Sequence, residues 1–222
     1  MGLLKALRAR LAAPPEPFLV TRRTHRRVES LISGAGPEAT VLNVGAGATK
    51  LGQRVINVDI YNSGTTDVIA SALALPFRDR TADLVILQGL LEHVEDARQT
   101  IAECCRVLKP GGLLYAEMPF LQPYHESPID VRRSTRPGLA RLCSPLREVE
   151  SGIHIGPASA LAWMLRELLA GIVSRGRQPL YGRASSLAGW LVFPIKYADY
   201  FLERLPVLHT IASSCYYLGR KD

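Results

Sequence analysis

The amino-acid sequence predicts an α/β fold built on an open parallel sheet, from three observations. An apolar strand, Val41-Leu42-Asn43-Val44, runs into the glycine turn Gly45-Ala46-Gly47. A second apolar strand, Val55-Ile56-Asn57-Val58, ends on Asp59, sixteen positions after Asn43. Further strand-like runs alternate with helical ones, the order that right-handed crossovers turn into a parallel sheet. In such a sheet, ligands bind outside the carboxyl ends of the strands, where the strand order reverses. Glycines there let backbone N–H groups approach the ligand closely. A carboxylate at the next strand end is placed to accept both hydroxyls of a ribose. These residues therefore point to a nucleoside-containing cofactor.

Each element follows from the local pattern. Leu3, Leu4, Leu7 and Leu11 share one helical face beside Lys5, Arg8 and Arg10, and Pro14-Pro15-Glu16-Pro17 breaks that helix. A second helix is expected over 20–33, ending at Gly34-Ala35-Gly36-Pro37. Strands are expected near 40–45, 55–60, 66–70, 83–88 and 112–118. The clearest helix, 96–108, precedes Lys109-Pro110-Gly111-Gly112, a basic last turn followed by helix-stopping residues. Only ten residues, 45–54, separate the first two strands. A full crossover takes a dozen or more, so the first helix is reduced to a turn or lost. Beyond an irregular stretch at 119–134 come a short helix at 136–142, a strand at 147–153 and an apolar helix at 158–173. A polar loop at 174–186, an apolar helix at 187–204 and a closing strand at 213–218 complete the reading. The domain organisation expected is a basic N-terminal helical segment, 1–36, and a sheet domain, 37–222, with an apolar helical insertion at about 158–205.

Composition narrows the class. The 222 residues are 47% hydrophobic, enough for a full core, and suit one sheet domain. Cys104, Cys105, Cys143 and Cys215 show no C-x-x-C spacing, which suggests neither a zinc site nor a disulfide framework and fits a reducing, cytoplasmic setting. The net charge is +7, and residues 1–30 hold seven basic residues against two acidic ones. A solvated helix or contact with phosphate explains that cluster equally. No run reaches the roughly 18 apolar residues that span a membrane. The segment 1–11, interrupted by three cations, lacks the apolar centre of a signal peptide.

Four further motifs occur in fixed order: Ala74-Leu75-Pro76-Phe77, Asp83-Leu84-Val85, Leu91-Glu92-His93-Val94 and Arg106-Val107-Leu108-Lys109-Pro110-Gly111-Gly112. With the glycine turn, they make the chain resemble class I S-adenosylmethionine-dependent methyltransferases over about 40–120, in the branch that includes quinone-biosynthesis enzymes. The run Pro119-Phe120-Leu121-Gln122-Pro123-Tyr124-His125, with Pro128, Asp130 and Arg133-Ser134-Thr135, is similar to a bacterial subgroup linked to glycan or envelope-lipid assembly. The resemblance implies a Rossmann-like, mostly parallel seven-stranded sheet in the order 3-2-1-4-5-7-6, with the last strand antiparallel and S-adenosylmethionine across strands 1, 2 and 4. It places Asn43, Gly45, Ala46 and Gly47 in the first cofactor motif, with the glycines under the methionine portion. Asp59 takes the ribose hydroxyls and Ile60 lies against adenine. Ser71, Ala72 and Leu73 border the adenine edge, and Gln88 and Gly89 sit near the sulfonium. Three positions depart from the family pattern. Asn43 stands for an acidic residue, Thr49 for a third glycine and Ser71 for an aspartate. With the shortened helix, they imply weaker or rearranged cofactor binding. A dinucleotide is set aside, because Gly45-x-Gly47-x-x-Lys50 lacks the third glycine and the helix that a pyrophosphate needs.

Methyl transfer asks mainly for positioning, plus removal of a proton from some acceptors. His125 is the candidate general base, because an imidazole titrates near 6.5. A structural hydrogen bond in the proline-rich loop is its competing role. Asp130 is a candidate to orient His125 or bind a sugar hydroxyl, against a role as a cap. Glu117, near the end of strand 5, is the third catalytic candidate, with a structural hydrogen bond as its equal alternative. Arg132 and Arg133 could hold a phosphate or carboxylate, with a surface ion pair as the equal alternative. Glu92-His93 reads first as the start of the following helix. Trp163, Met164 and Trp190 read as core or interface. No metal-ligand spacing appears, and no metal site is expected. The expectation is methyl transfer from S-adenosylmethionine, at oxygen, to a small-molecule, glycan or lipid-linked acceptor. Its setting is the cytoplasm or the inner face of an anionic membrane. The alternative is an inactive cofactor-binding or scaffold protein. Nucleic acid is disfavoured: no aromatic–basic series suits a single strand, and Gln88-Gly89-Leu90-Leu91 replaces the signature of base amino-methyltransferases.

Overall fold

The structure, a computed structural model, describes residues 14–125, 129–202 and 204–222. The helix expected over 3–11 and Pro128 lie outside the described residues. The chain divides into two compact units. The larger comprises 22–120, 124–154 and 214–222; the smaller comprises 1–21, 121–123 and 155–213.

The strands are β1 (Val41–Val44), β2 (Val55–Asp59), β3 (Val68–Ile69), β4 (Ala82–Leu87), β5 (Leu108–Pro119), β6 (Arg147–Ile155) and β7 (Ser214–Arg220). They form one sheet in the order β3-β2-β1-β4-β5-β7-β6. The pairs β1–β2, β1–β4, β2–β3 and β4–β5 are parallel, and β7 runs antiparallel to β5. The strand order reverses beside β1. The helices are α1 (Arg22–His25), α2 (Arg27–Gly34), α3 (Ala97–Val107), α4 (Arg136–Leu142), α5 (Pro157–Ser174), α6 (Gln178–Val192) and α7 (Asp199–Leu202).

Alternation along the strands builds a core on each face of the sheet. Leu42, Val44, Val85, Leu87, Leu114 and Ala116 pack with Ile101, Cys104 and Val107 of α3 and Leu139 of α4. Val41, Leu84, Ile86 and Tyr115 point the other way, to Val28, Leu31 and Ile32 of α2. Helix α3 is capped by Asp96, whose carboxylate accepts from the Gln99 N–H at 2.9 Å. In the smaller unit, Gly156 begins α5 and the buried Asp199 carboxylate caps it from a distance. That carboxylate accepts from the Ala158 and Ser159 N–H groups at 2.8 and 2.9 Å. A Cβ at Gly156 would lie 2.3 Å from its Oδ1, so the cap requires glycine there.

Several local expectations change. The helix ends at Val107, where Lys109-Pro110-Gly111-Gly112 was expected to stop it, but these stop residues lie inside β5, because Leu108 already pairs with Ala82. Gly111 donates to the Lys221 carbonyl at 2.7 Å, which holds this end of the strand. The helix over 20–33 is two pieces, α1 and α2. The loop at 174–186 shrinks to three residues. Arg175 and Gly176 adopt positive φ, and α6 starts at Gln178 with Arg166 Nε donating to Ser185 Oγ at 2.9 Å. The helix over 187–204 breaks after Val192, where Pro194 has no N–H to give; a 3₁₀ segment (Phe193–Ala198) and α7 follow.

Between β1 and β2 there is no helix among the described residues, only turns. Buried side chains satisfy the backbone instead. The Asn57 amide donates to the carbonyls of Thr49 (3.2 Å) and Thr65 (2.9 Å) and accepts from Asn43 Nδ2 at 3.0 Å. Asn57→Leu would orphan three polar groups, each costing about 1–3 kcal/mol. The expected loss is about 3 kcal/mol of stability in urea unfolding; a loss below about 0.5 kcal/mol would show that the amide carries no such task.

Candidate active site

The carboxyl ends of β1, β2 and β4 open onto a cavity of about 640 Å³. The backbone turn of β1 forms one wall. Gly45 and Gly47 have φ of +73° and +52°, the left-handed region that glycine enters without cost. Gly45 is doubly constrained, since a Cβ there would meet Leu90 Cδ1 at 2.6 Å. The Gly45 N–H donates to the Val58 carbonyl at 2.8 Å, tying the turn to β2. From the far side, the Thr65 hydroxyl donates to the Gly47 carbonyl at 3.2 Å, and Ser63 Oγ also reaches it.

Asp59 ends β2 at the same cavity. Its Oδ2 accepts from the Gly47 N–H at 2.8 Å and its Oδ1 from the Tyr61 N–H at 3.0 Å. Both oxygens are thus fixed in direction, and each keeps a lone pair for a ligand hydroxyl. Ten of the eleven residues expected to meet the cofactor line this cavity. Gly45, Ala46 and Gly47 come from the β1 turn, and Asp59 and Ile60 from the end of β2. Ser71, Ala72 and Leu73 follow β3, and Gln88 and Gly89 follow β4. Asn43 does not: its side chain is buried within the sheet against Asn57. The sequence position is that of an acid, but here the residue works as a donor. Ser71 Oγ accepts from the Leu73 N–H at 3.2 Å and so shapes the turn as well. The reading missed Tyr61, Ser63, Leu90 and Ile129, which also line the cavity. Their positions depend on how two loops fold back, which no local pattern encodes.

Glu117 lies beneath the β4 end. Gln88 Nε2 donates to both its oxygens at 3.3 Å, and Tyr115 Oη donates to Oε1 at 2.8 Å. His154 Nε2 stands 3.3 Å from Oε2. Burial pushes the Glu117 carboxyl up to about 7, with the Tyr115 and Gln88 hydrogen bonds opposing the rise. Burial also lowers His154 to about 4.

The segment after β5 is cross-tied to the turn after β4. Arg132 donates to the carbonyls of Leu91 (3.1 Å), Val94 (3.2 Å) and Glu95 (3.3 Å). Arg133 pairs with Asp130, its Nη2 donating to Oδ2 at 2.6 Å, and this pairing holds the Asp130 carboxyl at about 2. Both guanidiniums therefore have partners within the fold. Asp130 also accepts from the His125 N–H at 2.7 Å and lies 3.7 Å from His125 Nδ1. The rings of His93 and His125 meet edge to face, 5.4 Å between centroids. His93 lines the cavity, and its Nδ1 bonds the Ile129 carbonyl. Starting the next helix, a task first read into Glu92-His93, falls to Asp96.

Comparison with known proteins agrees with this architecture. Residues 33–116 match the family described as Methyltransferase domain. A malonyl-[acyl-carrier protein] O-methyltransferase of Coxiella burnetii is 47% identical over 47 residues, 21% of this chain and 17% of that protein. A ubiquinone/menaquinone biosynthesis C-methyltransferase of Shewanella halifaxensis is 32% identical over 97 residues, 44% of this chain and 38% of that one. The matched stretch thus spans less than half the length of either relative. Among solved structures, geranyl diphosphate C-methyltransferase from Streptomyces coelicolor, in complex with S-adenosyl-L-homocysteine, superposes with a TM-score of 0.52. It is 15% identical, over 89% of this chain and 76% of that one. The [4+2]-cyclase SpnF gives 0.55 at 14% identity, over 88% and 80%. A seven-stranded sheet with one antiparallel strand and a glycine turn facing a strand-end aspartate thus occur in a chain whose residues 33–116 match the Methyltransferase domain family.

Proposed function

We propose that the chain transfers the methyl group of S-adenosylmethionine to an oxygen of a small-molecule, glycan or lipid-linked acceptor. The observation that carries this reading is the Asp59 carboxylate, with both oxygens held by backbone N–H groups beside an open glycine turn. Its two remaining lone pairs suit the two hydroxyls of a ribose. Ile60 and Ala72 would border the adenine, and the turn 45–47 would run under the methionine portion. The cofactor supplies an activated methyl group, so the protein's task is placement. Oxygen as the methylated atom rests on the groups available to take a proton. His125, with Asp130 beside its Nδ1, is the proposed acceptor of that proton. Glu117, linked to the cavity through Gln88, is the second candidate. The relatives include both O- and C-methyltransferases, so the atom is part of the proposal.

The smaller unit supports a second element of the reading. Along α5 and α6, Leu168, Ile172, Leu187 and Leu191 are exposed, the last two at 73% each. Among the described residues no helix is long and apolar enough to cross a membrane. Such a face, with the basic stretch in residues 1–30, fits peripheral attachment to an anionic surface. An inactive scaffold held at that surface is the alternative, and S-adenosylhomocysteine formation with a cell extract separates the two.

Three outcomes are expected. Each hydroxyl contact to a charged acceptor is worth about 1.5–3 kcal/mol, so Asp59→Ala should weaken S-adenosylhomocysteine binding at least about tenfold in calorimetry. Unchanged affinity in the folded variant would refute the site.

The second concerns pH. The folded-state pKa of Glu117 lies above its ordinary value of 4.5, so its protonated form stabilises the fold. That stability is complete below about pH 4.5 and is lost as pH rises through 7. Relative to Glu117→Gln, wild type should lose about 3 kcal/mol between pH 4 and pH 8. His154 lies 3.3 Å from Glu117 and titrates in the same window, so both proteins are compared in a His154→Gln background. A flat difference would mean the carboxyl is not buried uncharged.

The third is sedimentation with vesicles. The full chain should pellet with anionic vesicles at low salt and leave them at high salt. Indifference to such vesicles at low salt would remove the membrane element.

A further inference from the structure

The turn after β4 and the segment after β5 bring two adjacent side chains together with a third from more than thirty positions away. Glu92, His93 and His125 each direct one ligand atom into a common space, all within 4.8 Å of one another. His93 Nε2 lies 3.8 Å from Glu92 Oε1. Two ligands held about 2.1 Å from one ion are separated by roughly 3–4 Å, so this spacing needs little adjustment.

Three further observations favour an ion over a plain hydrogen-bonded cluster. Glu92 is only 3% exposed, and its buried Oε2 has no hydrogen-bond partner. An orphaned buried carboxylate oxygen is costly and calls for a compensating positive group. The tautomer of His93 is also set. Its Nδ1 faces the Ile129 carbonyl, which only accepts, so Nδ1 carries the proton and Nε2 presents its lone pair on the side of Glu92. A carbonyl on the far nitrogen is the usual orienting contact of a metal-binding histidine. Finally, the ligand-bearing segments are braced. Arg132 clamps the carbonyls of Leu91, Val94 and Glu95, and the Val131 N–H donates to the Glu92 carbonyl at 3.0 Å.

We infer that Glu92, His93 and His125 form a binding site for a divalent transition ion, at the wall of the cavity that His93 lines. Two imidazoles and one carboxylate suit zinc-type ions, with a coordination position left for water or an acceptor oxygen. The inference goes beyond the methyl-transfer reading and does not rest on it, because ion binding is measured without turnover. An imidazole whose lone pair is on an ion accepts no proton, so ion-loaded and ion-free forms divide the two roles of His125 between them.

The test is zinc content after incubation with Zn²⁺ and dialysis, together with the visible spectrum of the Co²⁺-loaded full chain. Wild type should retain about one ion per chain and show nitrogen- and oxygen-ligand d–d bands without thiolate charge transfer. His93→Gln and Glu92→Gln should each lower affinity at least about tenfold, since even an outer-contact loss costs roughly 10–100-fold. Circular dichroism checks that the variants are folded. Should either variant unfold, His125→Gln provides the same comparison from the other segment. Failure of wild type to retain zinc would overturn the inference and leave the pocket to water or a proton. So would thiolate bands, or folded variants that bind as tightly as wild type.

Discussion

One buried amide holds the cofactor end of the sheet together. Asn57, on β2, meets three partners at once: it accepts from Asn43 on β1 and donates to the carbonyls of Thr49 and Thr65. A chain of only ten residues between the strands has no helix to absorb its polar backbone. A buried peptide group without a partner costs a few kcal/mol, so this amide is what makes the short connection viable. The glycine turn then keeps its shape through the Val58 carbonyl on one side and Thr65 on the other. Asn43, seen in this light, is no weakened version of an acidic residue. A carboxylate there would compete for the amide hydrogens that Thr49 and Thr65 require.

From that frame the site follows by direct links. The fixed turn places the Gly47 N–H on Asp59, and the Tyr61 N–H completes the carboxylate's orientation. Two strands away, Gln88 couples the cavity to a buried polar group of Glu117, Tyr115 and His154. Burial holds the carboxyl near its midpoint at neutrality and keeps the imidazole uncharged. The wall after β5 is cross-braced by Arg132 and Arg133, which spend their guanidiniums on carbonyls and on Asp130. Those arginines support the site's shape, and Arg133 makes the ion pair that its sequence allowed as the alternative to anion binding.

Much of this was legible because it is local. The strand-turn-strand pattern at 41–59 located β1, β2 and the cavity, since glycine turns and strand-end carboxylates declare themselves in a few residues. Helix α4 appeared over 136–142 as expected, with Thr135 capping it and Pro137 in its first turn. What stayed hidden is long-range. The Asn43–Asn57 pair spans fourteen positions, and the meeting of His125 with Glu92 and His93 spans more than thirty. Neither spacing is a motif; both come from strand register and loop return. The early start of β5 was hidden for the same reason: the helix stops at Val107 as expected, but pairing of Leu108 with Ala82 draws Lys109–Gly112 into the strand.

The central claim is that the β1 turn and Asp59 form a ready-made nucleoside site despite the missing helix. A crystal structure of the chain with S-adenosylhomocysteine addresses it directly. The account expects both ribose hydroxyls on Asp59, the adenine beside Ile60 and Ala72, and the turn at 45–47 unmoved from its present hydrogen bonds. A ligand bound elsewhere, or a ribose that leaves Asp59 untouched, would contradict it.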